Sequence, residues 1–568
     1  MAVTIVDRRT IYTEADSTTG WTPGTFGTVT DYAEAGFAVG ESFAITNGEV
    51  YFTGSAVDLS NTLVYVYAFN NALLTPWDSS PPPIALVLGD GTDLIGFDMA
   101  GSDRRVFNHL DGPTAWQCLL LDGDQADEMD SAGNTYVASG SFAGLDLTNI
   151  VDMGCAFDTQ SKALGGGFNV AVDIIRYGND GIRLTAGTTG DRGTFTEIAV
   201  ADRDTSNQTA HGIFRAYTTI AFGCQGPLTF GDDGVATTSY FEDSGAVVVF
   251  EDRNVSDGKY YFDVVGHASA TNVFVLTGST IATAGPSVSM DFSGGDIDTL
   301  TFDGCVFSAL RGAILFSANA DASGHIVDDC TFDGVGKITA GSVDINRASI
   351  INSDSATNAI EMGAGDLLDV SIASYEGTAG TAALLFNQAY DPNGELDRAT
   401  FAKGTAATHA IEFGSSTPST ITLTDHTYTG YHASNGNNDS TFYNNTGGAL
   451  TINVVGASGN TSYRNGASAS TTVSSSVTVT ITCTDSNGDP IEGINVRVEE
   501  DPAKTLIDDG TTNSSGIYTF AYTGTTPEDV KIIARQKAYR PNQAFASISG
   551  TGLTAGFTMI DNPVVNLP

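Results

Sequence analysis

The sequence predicts an all-β protein whose centre is a coiled β-solenoid. The 568 residues are rich in Gly, Thr, Ser, Val and Phe, which favour strands and turns, and no window keeps an apolar helical face for three turns. Two short apolar patterns recur in step between residues 287 and 466, with a period of roughly two dozen residues that is typical of a solenoid. An antiparallel sandwich would instead need hairpin turns roughly every 8–12 residues.

The first pattern reads alanine, aliphatic residue, any residue, large apolar residue. Its instances are Ala313–Phe316, Ala359–Met362, Ala383–Phe386, Ala410–Phe413 and Ala449–Ile452. The second pattern places a small or apolar residue between two apolar ones, as in Phe302/Cys305/Phe307, Val327/Cys330/Phe332, Ile345/Ala348/Ile350, Leu367/Val370/Ile372 and Leu396/Ala399/Phe401. We expect like residues to stack in inward ladders of Phe, Ile and Ala on strands roughly 4.8 Å apart, with turns that tolerate insertions.

The N-terminal part lacks the solenoid patterns. Residues 1–45 carry polar turns, densest at Ser17–Gly24, and are expected to be either a leader that docks onto another body or an extended cap. Residues 46–140 contain alternating strands such as Val50–Thr53 and Thr62–Phe69. They predict a β-sandwich or jelly-roll domain, with Pro81–Pro83 as a rigid link in one loop.

The solenoid is expected to span residues 141–466. Looser echoes of its strands begin early, at Gly181–Leu184, Gly212–Arg215 and Ala246–Val249. In pattern and composition this region resembles the right-handed parallel β-helix of pectate lyases and phage tailspikes.

A polar, low-complexity stretch at 467–476 is expected to be a linker to a distinct module at 477–568. Two turn motifs mark the module, Asp485–Ile491 and Thr512–Phe520, and Asn487-Gly488 is a hairpin signal. These motifs resemble the carboxypeptidase-regulatory-like and bacterial Ig-like β-sandwich families. The resemblance implies a non-catalytic domain that spaces, stabilises or adheres.

The charge is strongly unbalanced, with 67 acidic and 24 basic residues giving a formal net charge of −43. Such a surface repels phosphate backbones and anionic membranes, so neither nucleic-acid binding nor membrane insertion is expected. The N-terminus has no apolar signal segment, and no transmembrane run is present. Synthesis in a cytoplasm is therefore expected, with any export by a route other than secretion.

The sequence favours no metal site and no cofactor. The six cysteines, at 118, 155, 224, 305, 330 and 483, form no CxxC pair, and Cys305 and Cys330 are interpreted as stacked buried thiols rather than a disulfide. The acidic stretch Asp122–Glu128 has Ala126 and Asp127 where an EF-hand needs an oxygen ligand and a glycine, so a solvated loop is favoured over calcium binding.

The sequence identifies no catalytic residue, and an enzyme is the less favoured interpretation. Tailspike-type helices cleave polysaccharides with paired carboxyls, and Asp303, Asp328, Asp329 and Asp333 flank the repeated strands here. An Asp before a turn more commonly closes a strand by bonding its own backbone. His426 occupies an apolar slot and is expected to be a core or rim histidine, while Tyr428, Tyr431 and Tyr443 could either stack on sugars or pack in the core.

The resemblance as a whole implies a bacteriophage virion surface protein. The favoured function is a rigid, homotrimeric appendage (tail fibre, tail spike, or capsid fibre or decoration) at the virion surface. Its partners would be other virion proteins and a host cell-surface glycan. The alternatives are a tailspike depolymerase that cleaves host polysaccharide and a bacterial cell-surface adhesin.

Overall fold

The structure is a computed structural model of the full chain. It describes residues 3–13, 19–23, 29–35, 41–45, 48–70, 84–98, 105–107, 115–157, 170–186, 192–203, 213–216, 218–222, 227–232, 234, 238–250, 261–283, 287–294, 296–316, 325–523, 528–548 and 552–562. The chain divides into two compact units, Met1–Asp344 with Ile351–Ser355, and Ile345–Ile350 with Ala356–Pro568. Pro81–Pro83, Gly212, Cys224 and part of the Ser17–Gly24 turn lie outside the described residues.

Besides three 3-10 helical turns at Gly123–Gln125, Phe142–Gly144 and Leu147–Asn149, the described residues of the first part of unit 1 form strands and one short α-helix. They are β1 (Val3–Asp7), β2 (Thr10–Thr13), β3 (Trp21–Pro23), β4 (Val29–Ala35), β5 (Glu41–Ile45), β6 (Gly48–Val57), β7 (Leu63–Asn70), β8 (Ile84–Gly89), β9 (Leu94–Asp98), β10 (Arg105–Phe107), β11 (Ala115–Asp122), α1 (Ala126–Ser131), β12 (Thr135–Ser139), β13 (Ile150–Phe157) and β14 (Val170–Tyr177).

These strands form a sandwich of two antiparallel sheets. One sheet has the order β10-β11-β7-β14-β5-β4 with β2 beside β14, and the other has the order β12-β9-β8-β13-β6-β3. The two sheets share one apolar core, in which Val66 and Ile175 of the first pack with Phe97 and Met153 of the second. The sandwich therefore extends beyond the expected 46–140 on both sides.

The expectation of a separate leader at 1–45 is corrected, because β2 to β5 pair within the sandwich sheets. β1 instead pairs antiparallel with Ile182–Ala186. A buried ion pair joins Arg176 Nη1 of β14 to Asp7 Oδ2 of β1 at 2.7 Å. The Arg9 guanidinium, which follows β1, lies 4.6 Å from the Tyr65 ring centre. Removing one partner of such a buried pair is costly, so these contacts fix the N-terminal strands in place.

The remainder of unit 1 is a run of short strands with one helix. The elements are β15 (Ile182–Ala186), α2 (Phe195–Arg203), β16 (Ile213–Ala216), β17 (Thr219–Phe222), β18 (Leu228–Phe230), β19 (Ser239–Ser244), β20 (Val247–Phe250), β21 (Tyr261–Val264), β22 (Asn272–Thr277), β23 (Thr280–Thr283), β24 (Val288–Phe292), β25 (Thr299–Asp303), β26 (Val306–Ser308), β27 (Arg311–Phe316), β28 (Ile326–Asp328), β29 (Thr331–Asp333) and β30 (Ile338–Thr339).

The chain visits three parallel sheets of unit 1 in turn. Sheet 1 contains β15, β18, β21, β24, β27 and β30; sheet 2 contains β19, β22, β25 and β28; sheet 3 contains β17, β20, β23, β26 and β29. We call one passage of the chain through the parallel sheets a coil. The parallel pairs begin at β15, so the first coil starts later than the expected residue 141, where the chain still belongs to the sandwich. Stacked rings line the interior, and the Phe307 and Phe332 ring centres are 4.9 Å apart with planes 7° from parallel.

Unit 2 contains strands of the same kind followed by a second domain. Its strands, including β31 and β32 at the boundary between the units, are β31 (Asp344–Asn346), β32 (Ser349–Ile351), β33 (Ile360–Met362), β34 (Leu367–Leu368), β35 (Ser371–Tyr375), β36 (Ala382–Phe386), β37 (Thr400–Lys403), β38 (His409–Phe413), β39 (Thr420–Thr424), β40 (Thr427–Thr429), β41 (Phe442–Asn444), β42 (Ala449–Val455), β43 (Ser458–Gly459), β44 (Tyr463–Asn465), β45 (Ser470–Thr484), β46 (Asn495–Glu500), β47 (Leu506–Thr511), β48 (Ile517–Tyr522), β49 (Glu528–Arg535), β50 (Asn542–Ile548) and β51 (Leu553–Thr558).

Four sets of parallel strands recur among the described residues of unit 2, one of which is the pair β31 and β34. Sheet 4 contains β33, β36, β38, β41 and β44; sheet 5 contains β39, β42 and β45; sheet 6 contains β35, β37, β40 and β43. Ala449–Ile452 begins β42 of sheet 5, whereas the earlier Ala-aliphatic segments of this unit lie in sheet 4. The corresponding slot of sheet 4 is filled by Phe442, the register partner of Ile411.

The expected linker at 467–476 is corrected, because Ser470–Thr484 is one continuous strand. Its first half, Ser470–Ser476, pairs in parallel with β42 of sheet 5. Its second half pairs with β48 and β51 of the C-terminal sandwich, whose other sheet has the order β47-β46-β49-β50. Ser and Thr dominate the segment, but the backbone groups of both halves form hydrogen bonds with neighbouring strands. The segment is therefore an ordered strand despite its polar composition.

The fold is therefore all-β, with many parallel strands and a C-terminal β-sandwich. No helix of the described residues is long and apolar enough to cross a membrane.

Candidate functional site

The acidic residues singled out from the sequence occupy corners of the coil in unit 1. Asp303 and Asp328 are register partners at the ends of β25 and β28, so the two residues are neighbours along the stack. Asp329 follows β28 with a φ of +51°, at the corner where the preceding coils have Gly278 and Gly304. Aspartate tolerates this left-handed conformation better than most residues, which gives Asp329 a conformational role.

Asp333 does not join those carboxyl groups in one pair. It ends β29, where its register partner is Ser308, and its Oδ1 accepts a hydrogen bond of 2.8 Å from Asn352 Nδ2. The structure thus brings together Asp303 and Asp328 and leaves Asp333 on a different sheet.

The Asp122–Glu128 segment is a helical turn. Asp122 is buried and caps it by accepting a hydrogen bond from the Asp124 backbone N–H at 3.2 Å, and α1 follows at Ala126. The segment is therefore helical where a loop was expected, while Asp124 and Asp127 are exposed to solvent as expected. Among the described residues, no three His, Cys, Asp or Glu side chains are placed to hold a metal ion.

The described thiols are buried and form no disulfide with one another. Cys155, Cys305, Cys330 and Cys483 are free cysteines. The Cys305 and Cys330 thiols donate to main-chain oxygens, at 3.3 Å to Leu276 and 3.2 Å to Asp328 respectively. They fill equivalent slots of successive coils.

His426 lies in the core of unit 2 with both ring nitrogens hydrogen-bonded. Its Nδ1 is 2.9 Å from the Tyr428 hydroxyl and its Nε2 is 2.8 Å from the Leu396 carbonyl oxygen. Burial lowers the pKa of His426 to about 4. Tyr428 and Tyr431 are also buried, so of the three tyrosines considered for sugar stacking only Tyr443 is partly exposed.

A ladder of alternating charge marks one corner of the coil in unit 2. The corner residues Arg347, Asp369, Arg398 and Asp425 all have φ between +51° and +59°, and each donates its backbone N–H to a carbonyl of the next coil. Their opposite charges alternate, so side chains on adjacent coils attract one another. In the sequence these four residues look like unrelated turn residues, and only the structure places them in one row.

A cluster of an imidazole, a phenol and a guanidinium is centred on Tyr443 in β41. Its ring stacks on the imidazole of His409, with ring centres 5.2 Å apart and planes 17° from parallel. The Arg464 guanidinium carbon lies 5.2 Å from the centre of the same ring. His409, Tyr443 and Arg464 come from β38, β41 and β44, which are consecutive strands of sheet 4.

His409 is held by the loop at 431–440. It is fully buried, and its Nδ1 lies 2.5 Å from the Ser440 carbonyl oxygen, so Nδ1–H is the donor there. Its Nε2 is buried with no hydrogen-bond partner among the described residues. Burial lowers the pKa of His409 to about 4, so near neutral pH the ring is uncharged and Nε2 is an acceptor.

Sequence reasoning missed His409, Arg464 and a third feature, the carboxyl group of Glu395. Its pKa is raised, first because burial penalises the charged form and then because Asp366 and Asp391 repel it. A raised carboxyl pKa is what a general acid needs. Glu395 lies between the Asn393-Gly394 turn and the repeat position Leu396. The only feature of the sequence that could have indicated its raised pKa was the density of acidic residues around that turn.

Comparison with known proteins identifies the C-terminal domain. Residues 465–544 match the bacterial Ig-like domain (group 1) family, so an Ig-like domain follows the coil. The bacterial Ig-like part of the expectation is confirmed, and the match begins before residue 477 because β45 begins inside the coil. No curated protein shows significant similarity to the chain.

Among solved structures, the crystal structure of the Agl-KA catalytic domain aligns with 82% of this chain and 100% of its own, at 12% identity and a TM-score of 0.21. A bacteriophage origin has no support in these comparisons.

Proposed function

We propose that the chain is a rigid, non-catalytic surface appendage of a bacteriophage particle that attaches to a glycan of the host surface. In this proposal the parallel sheets form a right-handed β-helix, which presents the Ig-like domain and the outward loops. The molecule is a homotrimer located at the virion surface, with other virion proteins as its partners.

The observation that supports the proposal most strongly is the continuity of β45. Its residues 470–476 belong to sheet 5 and its residues 477–484 belong to the Ig-like sandwich. A shared strand transmits force between the coil and the Ig-like domain better than a flexible Ser/Thr linker does. Such rigidity suits an appendage that holds a binding domain away from a particle.

Labelled antibodies against the Ig-like domain test the location. Labelling of intact phage particles is expected, and labelling of the uninfected bacterial surface alone would favour the bacterial adhesin instead. Mass measurement of the purified protein is expected to give three copies, and a stable monomer contradicts the trimer.

A second candidate function is cleavage of the bound glycan, and the raised pKa of Glu395 is the observation that favours it. Incubating purified protein with host exopolysaccharide distinguishes the two functions. An appendage releases no reducing ends, whereas a depolymerase releases them and loses this activity in Glu395→Gln. Asp303→Asn serves as the matched acidic control, and loss of sugar release in that variant instead would move the chemistry to the coil of unit 1.

A further inference from the structure

We propose that Arg464, lying over Tyr443, forms a binding subsite for the carboxylate of an acidic sugar residue. The subsite deepens the proposed attachment to a host glycan and rests on it. It lies wholly within unit 2, between the loops at 376–381 and 431–440.

Arg464 is a cation without a carboxylate partner among the described residues. The other arginines of the coil in this unit are neutralised: Arg398 bonds Asp369, and Arg347 contributes to lowering the pKa of the same carboxyl. The five N–H donors of Arg464 are therefore available to a ligand.

The surroundings hold the guanidinium in position. It rests over the Tyr443 ring, where cation–π attraction holds it. A Cβ atom added to Gly380 would lie 2.8 Å from Nη1 of Arg464 and 3.8 Å from the Asn438 side chain. The guanidinium thus lies beside both loops. The buried imidazole of His409 stacks on the Tyr443 ring and holds that ring in place.

The 431–440 loop is organised before any ligand binds. Gly436 N–H donates to the Tyr463 carbonyl at 2.8 Å, and the Asn435 side chain accepts from the Tyr463 N–H at 3.0 Å. Asn437 Nδ2 donates to His432 Nδ1 at 3.0 Å, which closes the loop on itself. Pre-ordering reduces the entropy that binding would cost, and the exposed amide of Asn438 remains available for sugar hydroxyls.

The chemistry of the site selects the ligand. A planar guanidinium matches a carboxylate through two parallel hydrogen bonds, a geometry that a neutral hydroxyl cannot reproduce. The net charge of −43 opposes a ligand of high charge density. A saccharide that places one uronic carboxylate at Arg464 satisfies both conditions.

The test compares two oligosaccharides that differ only at one carboxyl group. One ends in glucuronic acid, and the other is its carboxyl-reduced form ending in glucose. Calorimetric titration of the full-length protein is expected to show at least tenfold tighter binding of the acidic form, since the reduced form loses the two-point, charge-assisted hydrogen bond to the guanidinium. Arg464→Gln should abolish the preference, and Arg464→Lys should retain only part of it.

Arg398→Gln is the matched control, because it removes an ion-paired arginine from the same unit and should leave the preference intact. Far-ultraviolet circular dichroism checks that each variant is folded. Equal binding of the two oligosaccharides by the unmodified protein, no binding of either, or an unchanged preference in Arg464→Gln overturns the subsite. A change of oligomeric state in Arg464→Gln also overturns it, because the carboxylate would then belong to a second copy.

Attachment to host cells is measured in parallel. If the unmodified protein attaches to cells yet shows no preference for the acidic oligosaccharide, the subsite fails while the proposed function stands. If neither attachment nor oligosaccharide binding is observed, both fail.

Discussion

Arg398 and Asp369, 29 residues apart in sequence, form a two-point ion pair between adjacent coils. Nε and Nη2 of Arg398 donate to Oδ1 and Oδ2 of Asp369 at 2.7 and 2.9 Å. Both residues are corner positions with a φ of +58°. The hydrogen bonds from Arg398 lower the pKa of Asp369, and the same bonds raise the pKa of Arg398.

Replacing Arg398 with Gln is expected to lower the free energy of unfolding only modestly. Both side chains are nearly half exposed, and exposed ion pairs contribute about 0.2–1 kcal/mol. A double-mutant cycle with Asp369→Asn, read by urea denaturation, measures the coupling. The coupling should shrink at 1 M salt, and a value that is insensitive to salt would show that the pair acts through packing instead.

Acidification is expected to destabilise unit 2 between pH 6.5 and about 4. Burial lowers the pKa of both His409 and His426 to about 4, so the unfolded chain binds more protons than the folded chain in this window. Stability is complete above pH 6.5 and falls as pH decreases, by an amount of order 3 kcal/mol for each histidine.

Replacing His426 with Ala should remove about half of this pH dependence, because the variant no longer carries one of the two buried imidazoles. Thr420→Ala, an exposed substitution in β39 that removes no imidazole, provides the control and should leave the dependence unchanged. Thermal denaturation at a series of pH values makes the measurement, and equal slopes in His426→Ala and the unmodified protein would contradict the assignment.

An insertion of Gly-Ser-Gly-Ser between Ser476 and Val477 is expected to uncouple the coil from the Ig-like domain. It interrupts β45 at the residue where pairing passes from β42 to β48. Limited proteolysis should then cut at the insertion, while both parts keep their folds. The same insertion in the exposed Asn487-Gly488 turn is the control and should leave the junction protected; early cutting at the junction in the unmodified protein would disprove its rigidity.

Substitutions of Asp329 test whether this corner aspartate serves the backbone conformation of the turn or a chemical reaction. Asp329→Val should lower the free energy of unfolding by roughly 1–2 kcal/mol, because a β-branched residue is strained at a φ of +51°. Asp329→Gly, the residue found at the preceding corners, should be tolerated. Thr331→Val in the following strand controls for added apolar surface. Equal stability of the two valine variants on urea denaturation would argue against a conformational role.

Much of the coil could be predicted from the sequence because its signal is local. The slots of the second pattern, such as Phe307 and Phe332, are filled by buried residues that stack in register. The bacterial Ig-like domain was predictable for the same reason, since its turn motifs act over a few residues. The ends of the domains were less predictable, because Ser470–Ser476 has a linker's composition but a strand's hydrogen bonds.

The candidate site could not be predicted in this way. Tyr443 was recognised from its type, but His409 and Arg464 lie 34 and 21 positions from it and meet it only because loops of unequal length return the chain to the same sheet. Glu395 likewise has a pKa that is raised first by burial and then by Asp366, and both depend on segments that are distant in sequence.

The sequence by itself determined the all-β class, the two-dozen-residue period and the presence of the Ig-like domain, because spacing and turn chemistry act along the chain. Only the tertiary structure decided that Arg398 bonds Asp369, that β45 serves two sheets and that Arg464 lies over Tyr443. Those relationships depend on which coils become neighbours and on the length of each loop between them, and no single repeat encodes either.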